Sequence, residues 1–352
     1  MVVPPWYELP PPGYGGLEQV CAALIDALAA RGHEVTLFGA GGGTGTQARF
    51  VSTRDEIQDQ RLGQILPELA HLSRVEHLVS DGSYDVVHDH TTAGPLLAVR
   101  RPVPTVVTVH GKPVGDLGDI LHAVGDSAGL VAISDAQRRL SPDLPWAATI
   151  HHGLPIDALE PAPVNGTGPV LWLARFSPDK GPDLAIQACR AAGLPLVLAG
   201  KSNERMEQRY LDDVVRPMLG RDVTLEINPE RERTIALLRS ARCLILPIRW
   251  EEPFGMVMLE AMAVGTPVVA LNRGAVPELV RSGETGVICD DPAELPAALR
   301  DVSAIDPHAC VEWARREFSA DVMARRYEDV YRTWMARAPQ SAARELTPSS
   351  AW

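Results

Sequence analysis

The chain has 352 residues, of which 45% are hydrophobic and 5% aromatic, and its formal net charge is −12. This length is enough for two domains of ordinary size, each with its own core. The negative charge and the few aromatic side chains argue against a nucleic-acid partner and against docking on an anionic membrane surface.

Predicted strands and helices alternate in the first half of the chain, which indicates a parallel sheet covered by helices on both faces. The sequence predicts strands over residues 1–3, 34–38, 85–88, 104–109, 129–133 and 147–151, and helices over 17–31, over 61–80 and from Asp135 onward. The first of these strands is short, so a start of the natural chain upstream of Met1 stays open.

A second alternation begins after residues 161–168, whose proline, asparagine and glycine content is typical of a hinge. It predicts strands over residues 170–174, 196–198, 223–227, 243–247 and 267–271, and helices from Pro182 onward and over 204–218, 231–240 and 321–337. We therefore predict a first domain over residues 1–163, a second over 164–318, a final helix within 319–338 and a disordered tail over 339–352.

The five cysteines are odd in number and far apart, which predicts reduced thiols in a cytoplasmic protein rather than disulfides or a metal knuckle. No charged leader precedes an apolar segment, so we expect no signal peptide. The longest apolar runs have strand length, so we expect no integral membrane segment.

Two acids, Glu252 and Glu260, stand with seven residues between them, in a loop and the apolar helix that follows it. The unit reads strand, acidic loop, helix, tight turn, strand, and in such a unit a ligand lies at the carboxyl ends of the strands. Carboxylates only accept hydrogen bonds, whereas sugar hydroxyls donate them. The pair therefore indicates a ligand rich in hydroxyl groups.

Two cations, Arg175 and Lys180, flank a turn after the first strand of the second half, just before a helix begins. A guanidinium, an ammonium and the first amides of a helix suit a diphosphate group. The alternative, two solvated surface charges, is less favoured because the acidic loop lies in the same half. No Asp-x-Asp pair follows a comparable strand, so we assign no metal.

Two glycine-rich runs follow the predicted strands of the first half. In the run over residues 13–18, Gly15 and Gly16 would let the backbone approach a ligand, but Glu18 stands where a dinucleotide fingerprint requires glycine. The run over residues 39–44 leads into a strand-like stretch, so it is better interpreted as a flexible loop.

Histidines end several strands of the first half, at the edge where a ligand would lie. His88 and His90 have the spacing of a metal pair, but no third ligand is apparent, so zinc is disfavoured. His110 follows a buried strand and precedes a glycine, which places it against the ligand. His151 is more simply structural, and Glu278 is more simply an acid in the first turn of a helix.

Taken in order, these segments resemble the retaining family-4 glycosyltransferases of GT-B fold over nearly the whole chain. The resemblance is carried by Gly15-Gly16-Leu17-Glu18, His110, the loop from Ala174 to Gly181 and the Glu252/Glu260 signature. It implies two Rossmann-like domains facing each other across a cleft, with the C-terminal helix crossing back to the first domain.

The resemblance also implies roles for individual residues. Arg175 and Lys180 would hold the donor diphosphate, which Gly15 and Gly16 would approach. The remaining roles concern the sugar and the nucleoside: Glu252 would accept hydroxyls of the transferred sugar, the amides of Phe254, Gly255 and Met256 would contact that sugar and the distal phosphate, Glu260 would bind the ribose, and His110 would lie beside the sugar.

Two positions depart from the family pattern. His151-His152-Gly153 stands where His-Asn-Gly is usual, and Arg273-Gly274 replaces a glycine pair. Both changes would alter the sugar pocket.

The activity implied is that of a retaining hexosyltransferase of a bacterium, which uses a UDP- or GDP-type donor without a metal or other cofactor. The acceptor would be a small molecule, a lipid or a glycan, and its identity, like the oligomeric state, stays open. Retention without an obvious nucleophile suggests that the leaving phosphate deprotonates the acceptor. The rival interpretations are a nucleotide-sugar epimerase of similar fold and a non-catalytic nucleotide-sugar-binding protein.

Overall fold

A computed structural model describes residues 1–11, 16–80, 83–159, 161 and 167–337. Gly15 in the predicted glycine loop, most of the predicted hinge and the tail over 339–352 therefore lie outside the described residues. The predicted boundary between residues 163 and 164 also lies outside them.

The first lobe is an α/β unit with a parallel sheet. Its elements are α1 (Gly16–Ala30), β1 (Thr36–Ala40), β2 (Arg49–Arg54), α2 (Ile65–Val79), β3 (Val87–Asp89), α3 (Pro95–Ala98), β4 (Thr105–Val109), α4 (Asp116–Val124), β5 (Gly129–Ala132), α5 (Asp135–Arg139) and β6 (Trp146–Thr149). The strand predicted over residues 1–3 is reduced to one residue, since Val2 bridges Phe38 in β1 and Asp89 in β3. It joins the β1–β2 pair to the four strands from β3 to β6.

The second lobe has one parallel sheet of six strands in the order β12-β11-β10-β7-β8-β9. Its elements are β7 (Val170–Arg175), α6 (Pro182–Ala192), β8 (Leu196–Lys201), α7 (Arg205–Tyr210), β9 (Val223–Ile227), α8 (Arg231–Ser240), β10 (Cys243–Leu246), α9 (Met256–Ala263), β11 (Val268–Leu271), α10 (Val276–Leu279), β12 (Gly286–Cys289), α11 (Leu295–Asp301) and α12 (Pro307–Phe318). The order reverses between β7 and β10. At such a switch point the loops after two adjacent strands diverge and leave a crevice.

The central strands are apolar on both faces, as expected for sheets covered by helices. Every residue of β4, β10 and β11 is buried. The largest apolar cluster runs from Leu24 in α1 and Val106 in β4 to Met258 in α9, so the two lobes share packed surface. All five cysteines are buried and unpaired. None of the described helices has both the length and the apolar character needed to cross a bilayer.

The last helix, α13 (Ala320–Arg337), returns to the first lobe, as the resemblance implies. Tyr331 and Tyr327 on its buried face hydrogen-bond to His88 and Thr108, each at 2.7 Å. On the same helix Glu328, which is also buried, accepts a 2.6 Å hydrogen bond from Arg31, just after α1.

These contacts predict that part of the free energy of unfolding is lost at acid pH. Hydrogen bonds from Arg31 outweigh burial and, with His33, lower the pKa of Glu328 from 4.5 to about 2. A carboxyl group with a lowered pKa stabilises the fold above its unfolded-state value, and the contribution is lost as the pH falls through the folded-state value. The thermal-midpoint advantage of the wild type over Glu328→Gln should therefore shrink between pH 4.5 and 2.

The matched control is Glu312→Gln, which changes an exposed acid paired with Arg315 three residues on. Its midpoint should stay close to the wild-type value at every pH, because exposed pairs contribute little. A wild-type advantage over Glu328→Gln that stays constant from pH 6 to 2 would contradict the assignment.

Candidate functional site

A cavity of about 280 Å³ lies between the lobes, at the carboxyl ends of the strands. The first lobe contributes the start of α1 and the segments after β4, β5 and β6, and the second lobe contributes the end of β7, the loop after β10 and the start of α9. The lining residues include Gly16, Leu17, His110, Ile133, His152, Leu173, Ala174, Arg175, Lys180, Trp250, Glu252, Phe254, Gly255 and Met256.

The structure brings most of the predicted site residues to this one cavity. Gly16, His110, Arg175, Lys180, Glu252, Phe254, Gly255 and Met256 all line it. Gly15 lies outside the described residues. Glu260 does not line the cavity.

The acidic loop places Glu252 beside Lys180. The two side chains form an ion pair, and both are largely shielded, with 13% of the lysine and 15% of the glutamate side chain exposed. The same carboxylate oxygen, Oε2, accepts a 2.9 Å hydrogen bond from the Trp250 indole. The acid and the ammonium neutralise each other in the free protein.

Helix α9 begins at the cavity because Gly255 adopts a left-handed conformation with φ of 94°. A side chain would be strained at this positive φ, so the turn favours glycine. The first amides of a helix have no partner within the helix, and here they belong to residues that line the cavity. They form a region of positive partial charge.

Arg175 and Lys180 lie on either side of the turn that follows β7. Arg175 ends that strand with 47% of its side chain exposed and lies 3.6 Å from Glu207. The backbone carbonyl of Lys180 accepts a 3.0 Å hydrogen bond from the buried Trp172 indole, which fixes the turn against the strand. The guanidinium is therefore accessible, and the ammonium is positioned by its backbone and by Glu252.

Glu260 does not share the cavity with Glu252, although the sequence suggests that the two acids meet one ligand. Its side chain is fully buried, and Oε1 pairs with Arg231, the first residue of α8. Oε2 has no hydrogen-bond partner among the described residues. Burial raises the pKa of Glu260, and Arg231 opposes that rise. The sequence shows the seven-residue spacing but not that Arg231 covers the acid.

Three histidines, His90, His110 and His152, lie in a row on the first-lobe side of the cavity, which His110 and His152 line. The His110 ring lies between His90 and His152, with centroids 5.2 Å from each, and His90 Nδ1 is 2.9 Å from His110 Nε2. Burial lowers the pKa of His110 to about 4 and the pKa values of His90 and His152 well below 6.5. The row is uncharged at neutral pH.

Within the described residues, one group of side chains is close enough to hold a metal ion, namely Cys21, His90 and His110. It differs from the His88–His90 pair that the sequence suggests, because His88 is held by Tyr331 and Thr108 instead. Burial keeps the Cys21 thiol protonated by raising its pKa.

Sequence reasoning missed a cross-lobe contact made by Glu278. This acid lies in the first turn of α10, as predicted, but its carboxylate accepts hydrogen bonds from the Asp135 and Ala136 amides at 2.8 and 2.7 Å. His151 lies 2.9 Å from the same carboxylate. Glu278 therefore fixes the start of α5 in the first lobe to the second lobe.

Sequence reasoning also missed Trp250, which lines the cavity and positions Glu252. A tryptophan two residues before the acid is the only sequence signal for it. Lys112, two residues after His110, places its ammonium 4.5 Å from the centroid of the Trp250 ring.

Comparison with known proteins gives matches to two family models, "Glycosyltransferase Family 4" over residues 14–118 and "Glycosyl transferases group 1" over residues 163–315. The chain is 30% identical to the D-inositol 3-phosphate glycosyltransferase of Mycolicibacterium smegmatis, covering 80% of this chain and 75% of that protein. It is 29% identical to a glycogen synthase of Mycobacterium tuberculosis, over 88% of this chain and 87% of the relative.

Among solved structures, AviGT4, a glycosyltransferase involved in avilamycin A biosynthesis, matches with a TM-score of 0.74 and 26% identity. The match covers 96% of this chain and 97% of AviGT4. With the two-lobed architecture and the interlobe cavity described above, these likenesses show that the chain belongs to the family-4 glycosyltransferases of GT-B fold.

Proposed function

We propose that this chain is a retaining glycosyltransferase that moves a sugar from a UDP- or GDP-type nucleoside-diphosphate sugar to an acceptor hydroxyl, without a metal. The observation that carries the proposal is the meeting of Arg175, Lys180, Glu252 and the start of α9 around one cavity. This arrangement offers positive charge to a diphosphate and a carboxylate to hydroxyl groups in the same space.

The phosphate part of the proposal rests on charge. Breaking a glycosyl–phosphate bond leaves negative charge on the phosphate oxygens, which fixed donors and cations stabilise. Arg175 offers a planar fork of donors, and the Lys180 ammonium has three protons, of which one suffices for Glu252. Lys180 would therefore hold the phosphate without giving up its ion pair.

The sugar part of the proposal rests on Glu252. One of its oxygens, Oε2, is held by Lys180 and Trp250, which fixes the carboxylate plane. Oε1 would accept hydrogen bonds from hydroxyls of the transferred sugar. His110, uncharged at neutral pH, would contact the same sugar as a neutral donor or acceptor rather than as a proton-loaded acid.

The stereochemical part of the proposal rests on the ion pair between Glu252 and Lys180. Glu252 is engaged by a cation, which makes it a poor nucleophile toward the anomeric carbon. We therefore favour a front-face route in which the departing phosphate oxygen takes the proton of the acceptor hydroxyl as the new bond forms. Hydrogen bonds between the lobes would help to exclude water, which otherwise hydrolyses the donor.

The acceptor stays unassigned, because the relatives named above are a glycogen synthase and an inositol-phosphate glycosyltransferase, whose names imply different acceptors. A small molecule, a lipid and a glycan all remain candidates, and we place the reaction in the cytoplasm. Incubating the protein with UDP- and GDP-sugars, first alone and then with an acceptor panel, tests the proposal. Transfer that needs an acceptor supports it, whereas conversion of the donor sugar alone would indicate an epimerase.

Glu252→Gln should lower kcat by about 10²–10³-fold, because an uncharged amide is a weaker acceptor for the sugar hydroxyls and gives Lys180 no counter-charge. The matched control is Glu251→Gln, which keeps an acceptor for the Gly274 amide and should stay close to wild type. Steady-state kinetics and circular dichroism together check this, and full turnover by a folded Glu252→Gln would refute the role.

Arg175→Ala combined with Lys180→Ala should weaken binding of UDP or GDP by at least about 100-fold, since two charge-assisted contacts are lost. The control is Arg221→Ala, which removes an exposed cation just before β9, at the sheet edge opposite the cavity. Isothermal titration of the free nucleotide measures the effect. Wild-type affinity in the double variant would move the phosphate site elsewhere.

Gly274→Ala should impair the acidic loop from outside the cavity. Gly274 has φ of 55°, and a Cβ atom there would overlap the backbone N and O of Glu252. We expect the strained conformation to lower the free energy of unfolding by about 1–3 kcal/mol. Because Glu252 is displaced, kcat/KM should also fall about 100-fold. Arg273→Gly, at the adjacent exposed position, should be close to neutral. Equal kinetics for the two variants would contradict this account.

A further inference from the structure

Lysine is rare in this chain and is found only at the interlobe cleft. Of 33 lysine and arginine residues, only Lys112, Lys180 and Lys201 are lysines. Lys180 lines the cavity, Lys112 lies over a tryptophan that lines it, and Lys201 ends β8 beside Arg175 in the parallel register. The other 30 of these residues are arginines.

Lys112 is the lysine that the first lobe contributes. It follows β4 and His110 in the chain, and its ammonium reaches across to Trp250 in the second lobe, 4.5 Å from the ring centroid. The Lys180 ammonium lies over the same ring, at 4.8 Å. One indole thus holds two ammonium groups, one from each lobe, at the edge of the cavity.

The two ammonium groups differ in how their charge is balanced. Lys180 is paired with Glu252. Lys112 is exposed and makes no ion pair with any carboxylate that the structure describes. Two like charges on one ring repel each other, and an aromatic face compensates only about 0.5–1 kcal/mol at an exposed site. Glu252 balances only one of these two charges, so an anionic group that reaches the Lys112 ammonium would be stabilised there.

We propose that Lys112 is a phosphate-binding residue of this cleft, contributed by the first lobe and held over Trp250. The inference deepens the proposed function, on which it rests, by adding a cation from the lobe opposite Arg175 and Lys180. An ammonium on a flexible stem suits this place, because it acts as a compact charge with three rotatable donors rather than a fixed fork. The phosphate belongs either to the nucleotide or to a phosphorylated acceptor.

The lysine content allows a direct test by footprinting. The full chain is acetylated with an N-hydroxysuccinimide ester, alone or with UDP, GDP or D-inositol 3-phosphate, and the rate at each lysine is read by mass spectrometry. We expect a bound phosphate to slow acetylation of Lys112 at least about fivefold. Free inositol is the uncharged control and should leave the rate unchanged.

Affinity measurements with variants complete the test. Lys112→Gln should weaken the phosphate ligand about tenfold and flatten its salt dependence, while Lys112→Arg stays within about threefold of wild type. Arg221→Gln, which removes a cation from the opposite sheet edge, should change neither the affinity for the phosphate ligand nor its salt dependence. Weakened UDP or GDP binding assigns the contact to the nucleotide, and weakened D-inositol 3-phosphate binding at saturating UDP assigns it to the acceptor.

The inference is overturned if Lys112→Gln binds all three phosphate ligands as the wild type does and Lys112 is acetylated equally with and without them. That result, with Arg175→Ala/Lys180→Ala still losing the nucleotide, would leave the proposed function intact and reduce Lys112 to a contact with Trp250. A wild type that binds no nucleotide at all would instead remove the proposed function itself.

Discussion

The ion pair between Lys180 and Glu252 is the interaction on which the cavity depends. Each charge is largely removed from water, and a shielded charge without a partner is costly, so each residue stabilises the other in its place. The pair also joins the two loops that diverge at the switch point between β7 and β10. Folding of the second lobe therefore brings a cation and an acid together between two strand ends, where a ligand with phosphate and hydroxyl groups can use both.

The first lobe supports this pair through its own hydrogen bonds. Ser134 donates a 2.6 Å hydrogen bond to the carbonyl of Pro253, directly after Glu252. Glu278 caps the amides that follow Ser134, and the pKa of Glu278 is lowered because hydrogen bonds from His151 and those amides outweigh its burial. The acidic loop is thus fixed by contacts from both lobes, so opening the cleft would loosen it.

The sequence predicted most helices and central strands correctly, because buried parallel strands and amphipathic helices have strong periodic signals. It missed β2, whose residues are mostly part-exposed, and overstated the first strand, where pairing is limited to Val2. Motif spacing predicted that Arg175, Lys180 and Glu252 lie near one another, since each stands at or after the carboxyl end of a strand. It could not show that Arg231 covers Glu260 or that Lys112 meets Trp250, because such contacts depend on side chains from distant segments.

The family pattern usually has asparagine where this chain has His152, and the histidine changes the chemistry of the cavity wall. An asparagine has no ring to stack, whereas His152 stacks on His110 and makes a T-shaped contact with Phe254, with centroids 4.8 Å apart. Its Nδ1 has no hydrogen-bond partner among the described residues. Because burial keeps His90, His110 and His152 uncharged at neutral pH, this wall presents flat imidazole faces and no charge. Selectivity for the sugar on this side would therefore come from shape and a few neutral hydrogen bonds, and charge recognition would be left to the second lobe and to Lys112.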